Sequence, residues 1–269
     1  MEIINFDKAK NLNSSEIRDY IRKELYAGHT AGLAKNKLQT NIVVLPNQFS
    51  DHFLNFCHLN KKACPIVDKT KVGDPFFHNL GRDIDVRLDV PRYNIYKNGK
   101  LLNTTKNIKD YWEDTFVAFA IGCSFTFEHE LLRNNLELDH IKNNKIVPMY
   151  KTNIKNKRSG VFASEMVTSM RIFKKSEAKK VITISKKYSQ AHGEPVHVGS
   201  PERIGINNIL KPNWGDPPRV KKSDEDYYFW ACGVTPQNAV MEAKLPFCIT
   251  HTPGHMLITD TAENKILLT

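Results

Sequence analysis

The chain has 269 residues, with 39 Lys/Arg against 29 Asp/Glu, a formal net charge of +10 and a pI near 9.3. Apolar residues make up 41% and charged residues 25%, which excludes a collagen-like or wholly disordered chain and fits one or two domains with a sizeable core. The charge excess is local: residues 142–187 carry 13 Lys/Arg against only Glu165 and Glu177, a net +11, and the remainder sums to −1.

Asn13 followed by Glu16 predicts a capping box, with Ile17, Tyr20, Ile21 and Leu25 on one helical face and Gly28 as the stop. Residues 41–45 form an apolar, β-branched run ended by Pro46, which predicts a buried strand. Phe49, Phe53 and Phe56 suit a following helix. Residues 86–96 alternate as extended structure, and Asn98-Gly99 predicts a hairpin turn into Leu101. The most apolar stretch, 112–121, leads into a helix over 125–134. Strands are predicted over 146–150 and 165–173, then a helix capped by Ser176. Gly, Pro and His crowd residues 192–218, which read as ordered loops. A buried strand over 228–232 precedes a helix with Thr235 as N-cap and Pro236 at its first position. Short strands over 247–250 and 256–259 close the chain.

Interleaved strands and helices predict an α/β or α+β chain. The basic region suggests a smaller two-layer α+β unit over 115–190, inserted into a larger α/β domain made of 1–114 and 191–269. Five cysteines with no CxxC make a poor disulfide or zinc framework, so reduced thiols in a cytoplasmic protein are expected. The N-terminus lacks the apolar core of a signal peptide, and the longest apolar run is far below the ~20 residues of a membrane helix.

Two segments share one local design. Gly122-Cys123-Ser124 ends an apolar run and opens a helix, and so does Ala231-Cys232-Gly233. Unpaired N–H groups and the helix dipole at such a turn can cradle a carboxylate or phosphate. The competing reading is a tight turn with cysteine as a small core residue. Glu128, in the first turn of the first helix, reads equally as a surface carboxylate complementing the dipole or as a partly buried acid/base group with a raised pKa. His251 and His255 are four apart, but Pro253-Gly254 forbids the regular helix a metal pair would need. They remain pocket-lining or structural histidines, as do His192 and His197, and Asp260 is placed to orient one of them. Arg171 sits inside an apolar strand, where a substrate carboxylate or an internal ion pair would suit it. The same choice holds for Arg87 among Arg82, Asp85 and Asp89. The paired lysines from Lys174 to Lys187 read as a solvated face, since they lack the interleaved aromatics of a single-strand-binding surface.

The motifs then become recognisable. The runs Leu38 to Asn41 through Leu45-Pro46, Asp83 to Asp89 with Pro91, Gly122 to Glu128, 147–150, Ser169-Met170-Arg171, 192–197, Gly215-Asp216, Phe229 to Gln237 and His251 to Met256 resemble the D-glutamate cyclase-like family of hydro-lyases. They run in order from about residue 27 to 260. Thr126 stands where Ser is usual, and Phe173 where Pro is expected near the arginine. The resemblance implies a larger three-layer αβα unit and a smaller two-layer one. It also implies reversible conversion of D-glutamate to 5-oxo-D-proline and water, an activity attached to larger members with a further C-terminal domain.

Lactam formation moves protons from an amine to a departing oxygen and needs donors for an oxyanion. On this reading Glu128 and His255 are the acid/base groups, Asp260 the orienter and Cys123 an optional nucleophile. Ser124, Arg171, His192, His197, Arg87, Cys232, Thr235 and His251 form the substrate-binding set. No metal, cofactor or ATP loop is called for. The expected partner is a small carboxylate or amino acid, rather than nucleic acid or membrane, with homo-oligomerisation left open. Two alternatives stand beside this: a hydro-lyase or cyclase acting on another small amino or hydroxy acid, and a non-catalytic anion- or nucleic-acid-binding module suggested by the +11 segment.

Overall fold

The computed structural model describes residues 2–263 and 265. A one-turn helix, α1 (Phe6–Ala9), leads into α2 (Ser14–Arg22), whose Asn13/Glu16 capping box is formed as predicted. The helix stops earlier than Gly28, because Glu24 turns into the left-handed region at φ 58° and Leu25 falls outside it. Strand β1 (Lys37–Pro46) follows, then α3 (Ser50–Leu59) and β2 (Ile66–Lys69). Of the expected extended run 86–96, only its end enters β3 (Tyr93–Lys97). Asn98 and Gly99 both take positive φ, and their turn delivers β4 (Lys100–Thr105).

Strand β5 (Phe116–Gly122) is wholly buried and feeds α4 (Phe125–Arg133). A short α5 (Asp139–Lys142) precedes β6 (Met149–Lys155), β7 (Glu165–Lys174) and α6 (Ala178–Lys186). Strand β8 (His197–Val198) lies in the loop-rich segment, and β9 (Glu225–Ala231) feeds α7 (Val234–Glu242). Strands β10 (Cys248–His251) and β11 (Leu257–Ala262) complete the described chain.

Helix and strand mix as an α/β fold, with every described strand pair antiparallel. One sheet runs β2-β5-β1-β10-β3-β4, with β11 sharing the β10 edge of β1; the other runs β6-β7-β9-β8. The sheets do not follow the expected 115–190 segment. Strand β5 belongs to the first sheet, and β8 and β9 complete the second. Hydrogen-bond register decides this: β5 pairs with β1 along seven residues and β9 with β7 along seven.

The helices cross between the sheets. Helix α4 leaves the first sheet and lays Phe127 and Leu131 on Phe173, Tyr228 and Trp230 of the second. Helix α7 leaves the second and lays Ala239 and Val240 on Val43, Leu45 and Phe119 of the first, beside Phe53 and Phe56 of α3. The other face of the first sheet is covered by irregular chain carrying Phe77, Leu80, Ile84, Val86 and Val90. The places where β5 and β9 turn into their helices come together where the sheets meet.

Candidate functional site

Both turns read Cys-x-apolar-Thr: Cys123-Ser124-Phe125-Thr126 and Cys232-Gly233-Val234-Thr235. The residues just before the cysteines, Gly122 and Ala231, face threonines across the ladder, Thr40 on β1 and Thr168 on β7. At each turn the cysteine carbonyl accepts the threonine N–H, at 3.1 Å from Thr126 and 2.9 Å from Thr235. Each sulfur accepts the N–H two residues on, from Phe125 at 3.5 Å and from Val234. Asn41 ties the turns together. Its Nδ2 donates to the Gly122 carbonyl at 2.8 Å, and a Cβ on Gly233 would lie 1.9 Å from that nitrogen, so only glycine fits.

The thiols share an apolar cluster with Val147, Met149, Val167 and Met256. Burial pushes both up, Cys232 to about 11 and Cys123 further, so they are held as neutral thiols. The expected anion cradles are therefore partly filled by the protein's own sulfur. Thr235 is not the N-cap: its Oγ1 accepts the Val167 N–H at 3.0 Å and pins α7 to β7.

Arg171 projects from β7 beneath the first turn. Its Nε donates to Glu128 Oε1 at 2.9 Å, and Nη2 donates to the same oxygen and to Ser124 Oγ, the latter at 2.9 Å. Nη1 donates to Ser169 Oγ at 3.0 Å. The rings of Phe127 and Trp230 lie 5.4 and 5.3 Å from the guanidinium carbon. The resident carboxylate on Arg171 is thus Glu128, and each side chain is 1% exposed.

Glu128 corrects the expectation of a raised pKa. Burial pushes its carboxyl up, but the His140 and Arg171 charges and the Arg171 hydrogen bonds outweigh that and hold it down at about 2. His140, on α5, places Nε2 3.0 Å from Glu128 Oε1. His140 and Arg171 both border a pocket at the β7 edge, whose other walls include Lys145, Ile146, Pro148, Asp216 and Arg219. Asp216 Oδ2 accepts the Ile146 N–H at 2.7 Å. His29 closes this neighbourhood: its Nε2 lies 3.1 Å from Asn144 Oδ1, burial lowers its pKa, and Asp216 and His140 act on it through space.

The other expected residues scatter. His255 is half-buried, donates Nδ1–H to Pro253 O at 3.1 Å, and is pushed down to about 4, chiefly by burial. Asp260 does not orient it. That carboxylate binds Arg18 at 2.7 and 2.8 Å, Ser14 Oγ at 2.7 Å and the Arg82 N–H at 3.0 Å. His192 takes φ 79°, donates Nδ1–H to Lys62 O at 2.9 Å and is pushed down to about 4 by burial, with the Arg171 charge adding to it. His197 packs against Phe229, with ring centroids 5.7 Å apart and planes tilted by 32°, on the face of the second sheet opposite Arg171. Arg87 is occupied by Asp85 through Nε and Nη2 at 2.9 and 2.8 Å. His251 is a core residue: its Nδ1 accepts the Ile42 N–H at 3.0 Å and lies 2.8 Å from Gln237 Nε2, and burial pushes it down to about 3. The lysine pairs 174–175, 179–180 and 186–187 are exposed.

Sequence reasoning missed His29, Asn41, His140 and Asp216 as site residues. Asn41 and Asp216 carried a signal, as members of the quoted run 38–41 and the Gly215-Asp216 pair, without a role attached to either. His140 lies in a helix of four residues, too short for any periodicity to mark a face.

A family description, D-glutamate cyclase, matches residues 117–260. A protein of Cupriavidus taiwanensis is 47% identical over 250 residues, covering 93% of each chain. One of Dinoroseobacter shibae is 44% identical over 263 residues, covering 98% of this chain and 87% of its own. One of Ruegeria pomeroyi is 44% identical over 261 residues, covering 97% and 94%. All three bear the name "putative hydro-lyase". Among solved structures, a nitrogen repressor-like protein of Methanococcus jannaschii aligns at TM-score 0.40 and 11% identity, covering 94% of this chain and 99% of its own, too distant to bear on function. With full-length relatives at this identity and the matched segment spanning both cysteine turns, Arg171 and the pocket, the chain belongs to the D-glutamate cyclase family of hydro-lyases.

Proposed function

We propose that the chain interconverts D-glutamate and 5-oxo-D-proline plus water. The observation that carries this reading is the pocket bordered by the Arg171 cation and the Asp216 carboxylate. A zwitterionic amino acid presents the complementary pair. Nη1 of Arg171 gives one N–H to Ser169, and in this reading its second N–H is the donor to the α-carboxylate. Asp216 faces the α-ammonium, its Oδ2 already oriented by the Ile146 N–H.

The reaction balances without a co-substrate. The α-nitrogen attacks the γ-carboxylate carbon, a C–N bond forms and a C–O bond breaks. The ammonium gives up two protons and the departing oxygen takes both, leaving as water. Both reacting groups sit on one molecule, so holding it curled supplies much of the acceleration. Glu128 keeps Arg171 fixed, and the dry aromatic walls of Phe127 and Trp230 strengthen the cation's pull on a carboxylate.

The test is incubation of the protein with D-glutamate, L-glutamate and each enantiomer of 5-oxoproline, followed by chiral chromatography and mass spectrometry. Gain or loss of one water in the D series alone supports the reading. No conversion in either direction, or conversion of another small amino or hydroxy acid from a parallel panel, overturns it.

A further inference from the structure

The geometry points to His140 as the acid–base group of this pocket, with Glu128 as its positioning residue. This rests on the cyclase reading for its substrate, but the side-chain arrangement stands apart from it.

The reaction asks for one group that takes a proton from nitrogen and returns it to oxygen. Among the ionisable side chains bordering the pocket, Arg171 is committed to Glu128, and Arg219 lies 2.8 Å from Asp139. Asp216 serves the ammonium. An imidazole is the side chain suited to both accepting and releasing a proton near neutrality. The ring of His140 is 6% exposed and borders the pocket. Its Nε2 lies 3.0 Å from Glu128 Oε1 as a charge contact, without the geometry of a hydrogen bond. Among the described residues neither ring nitrogen is spent on a hydrogen bond, so the imidazole is left for a ligand in the pocket.

The competing histidines lack this placement. His255 spends Nδ1–H on its own loop, and His192 borders a different hollow, beside Lys61, Lys62 and Lys186. The groups facing His140 are Glu128 on α4, Arg171 on β7, His29 on the loop after α2, and Lys145, Asp216 and Arg219 around the pocket.

The test is His140→Asn in the full chain, with folding checked by circular dichroism and melting. General acid–base catalysis contributes about 10²–10⁴-fold, so kcat is expected to fall at least 100-fold with KM changed by less than about threefold. One limb of the kcat–pH profile should vanish, and added imidazole should restore part of the rate. A folded variant that keeps a third or more of wild-type kcat, or loses kcat with the pH profile intact and no imidazole rescue, overturns the assignment. If the wild type converts neither glutamate nor 5-oxoproline, the cyclase reading fails by itself. His140 is then judged by NMR of Cε1-labelled histidines, with D-glutamate as probe. Movement of the resonance that is missing in His140→Asn keeps His140 as the ligand-facing group, and an unmoved resonance overturns it.

Discussion

Replacing Glu128 by Gln keeps the shape of the side chain and removes its charge. Arg171 is then left 1% exposed with no counter-ion. Its remaining partners, Ser124 and Ser169, are neutral hydroxyls, and the rings of Phe127 and Trp230 block water from taking the carboxylate's place. Stranding one member of a buried pair costs about 3–5 kcal/mol. For a chain of this size roughly 2–4 °C of melting temperature accompanies each kcal/mol, so a drop of about 6–20 °C is expected. The assay is urea unfolding followed by tryptophan fluorescence, with Glu128→Gln, Arg171→Met and the double variant Glu128→Leu/Arg171→Met compared. Replacing both partners by apolar groups removes the stranded charge, so the double variant should be more stable than either single one, within about 1 kcal/mol of the wild type or above it. A cost below about 1 kcal/mol for Glu128→Gln, or a double variant as unstable as the two losses added, would refute the view that this is a buried pair in which each charge compensates the other.

Stability should fall on acidification in two stages. His192, His251 and His255 have folded pKa values depressed to about 4, 3 and 4, so the unfolded chain binds protons first and stability is lost as pH falls from about 6.5 towards those values. Glu128 and Asp260, both held down at about 2, contribute stability that is complete above about pH 4 and is lost as pH falls through 2. Denaturant midpoints measured across this range check both stages, and a flat profile between pH 6.5 and 4 contradicts the first. Asp260→Asn should destabilise by about 2–3 kcal/mol, because Arg18 loses a charged hydrogen-bond partner, while turnover of the remaining folded protein stays within twofold. Gly122→Ala should cost about 3 kcal/mol or prevent folding, since its Cβ would lie 1.7 Å from the Gln190 carbonyl; expression yield and melting report it.

Local signals in the sequence located those elements whose cause is local. The Asn13/Glu16 box, the Asn98-Gly99 turn and the apolar run into Cys123 each depend on neighbours in the chain, and each is found where expected. The twin cysteine turns were also legible as a shared local design. What was not legible is pairing at a distance. Arg171 and Glu128 were both singled out, yet nothing in their spacing showed that each is the other's partner across 43 residues. Asp260 was assigned to a neighbouring histidine because sequence proximity was the only guide, whereas its partner Arg18 lies at the far end of the chain. Strand pairing across the expected 115–190 boundary was hidden for the same reason: a strand's sheet is set by which edge it meets, and β9 meets β7 from beyond residue 190.

The crossing of α4 and α7 has a consequence for how the molecule comes apart. Each sheet is sealed by a helix whose preceding strand belongs to the other sheet. Peeling either sheet open withdraws the lid from its neighbour, so neither half has a stable existence alone. The chain is expected to melt as one cooperative unit despite its two sheets, and a fragment ending before α7 should not fold. Because both seals require segments far apart in sequence to meet, folding should be slow for the chain's length.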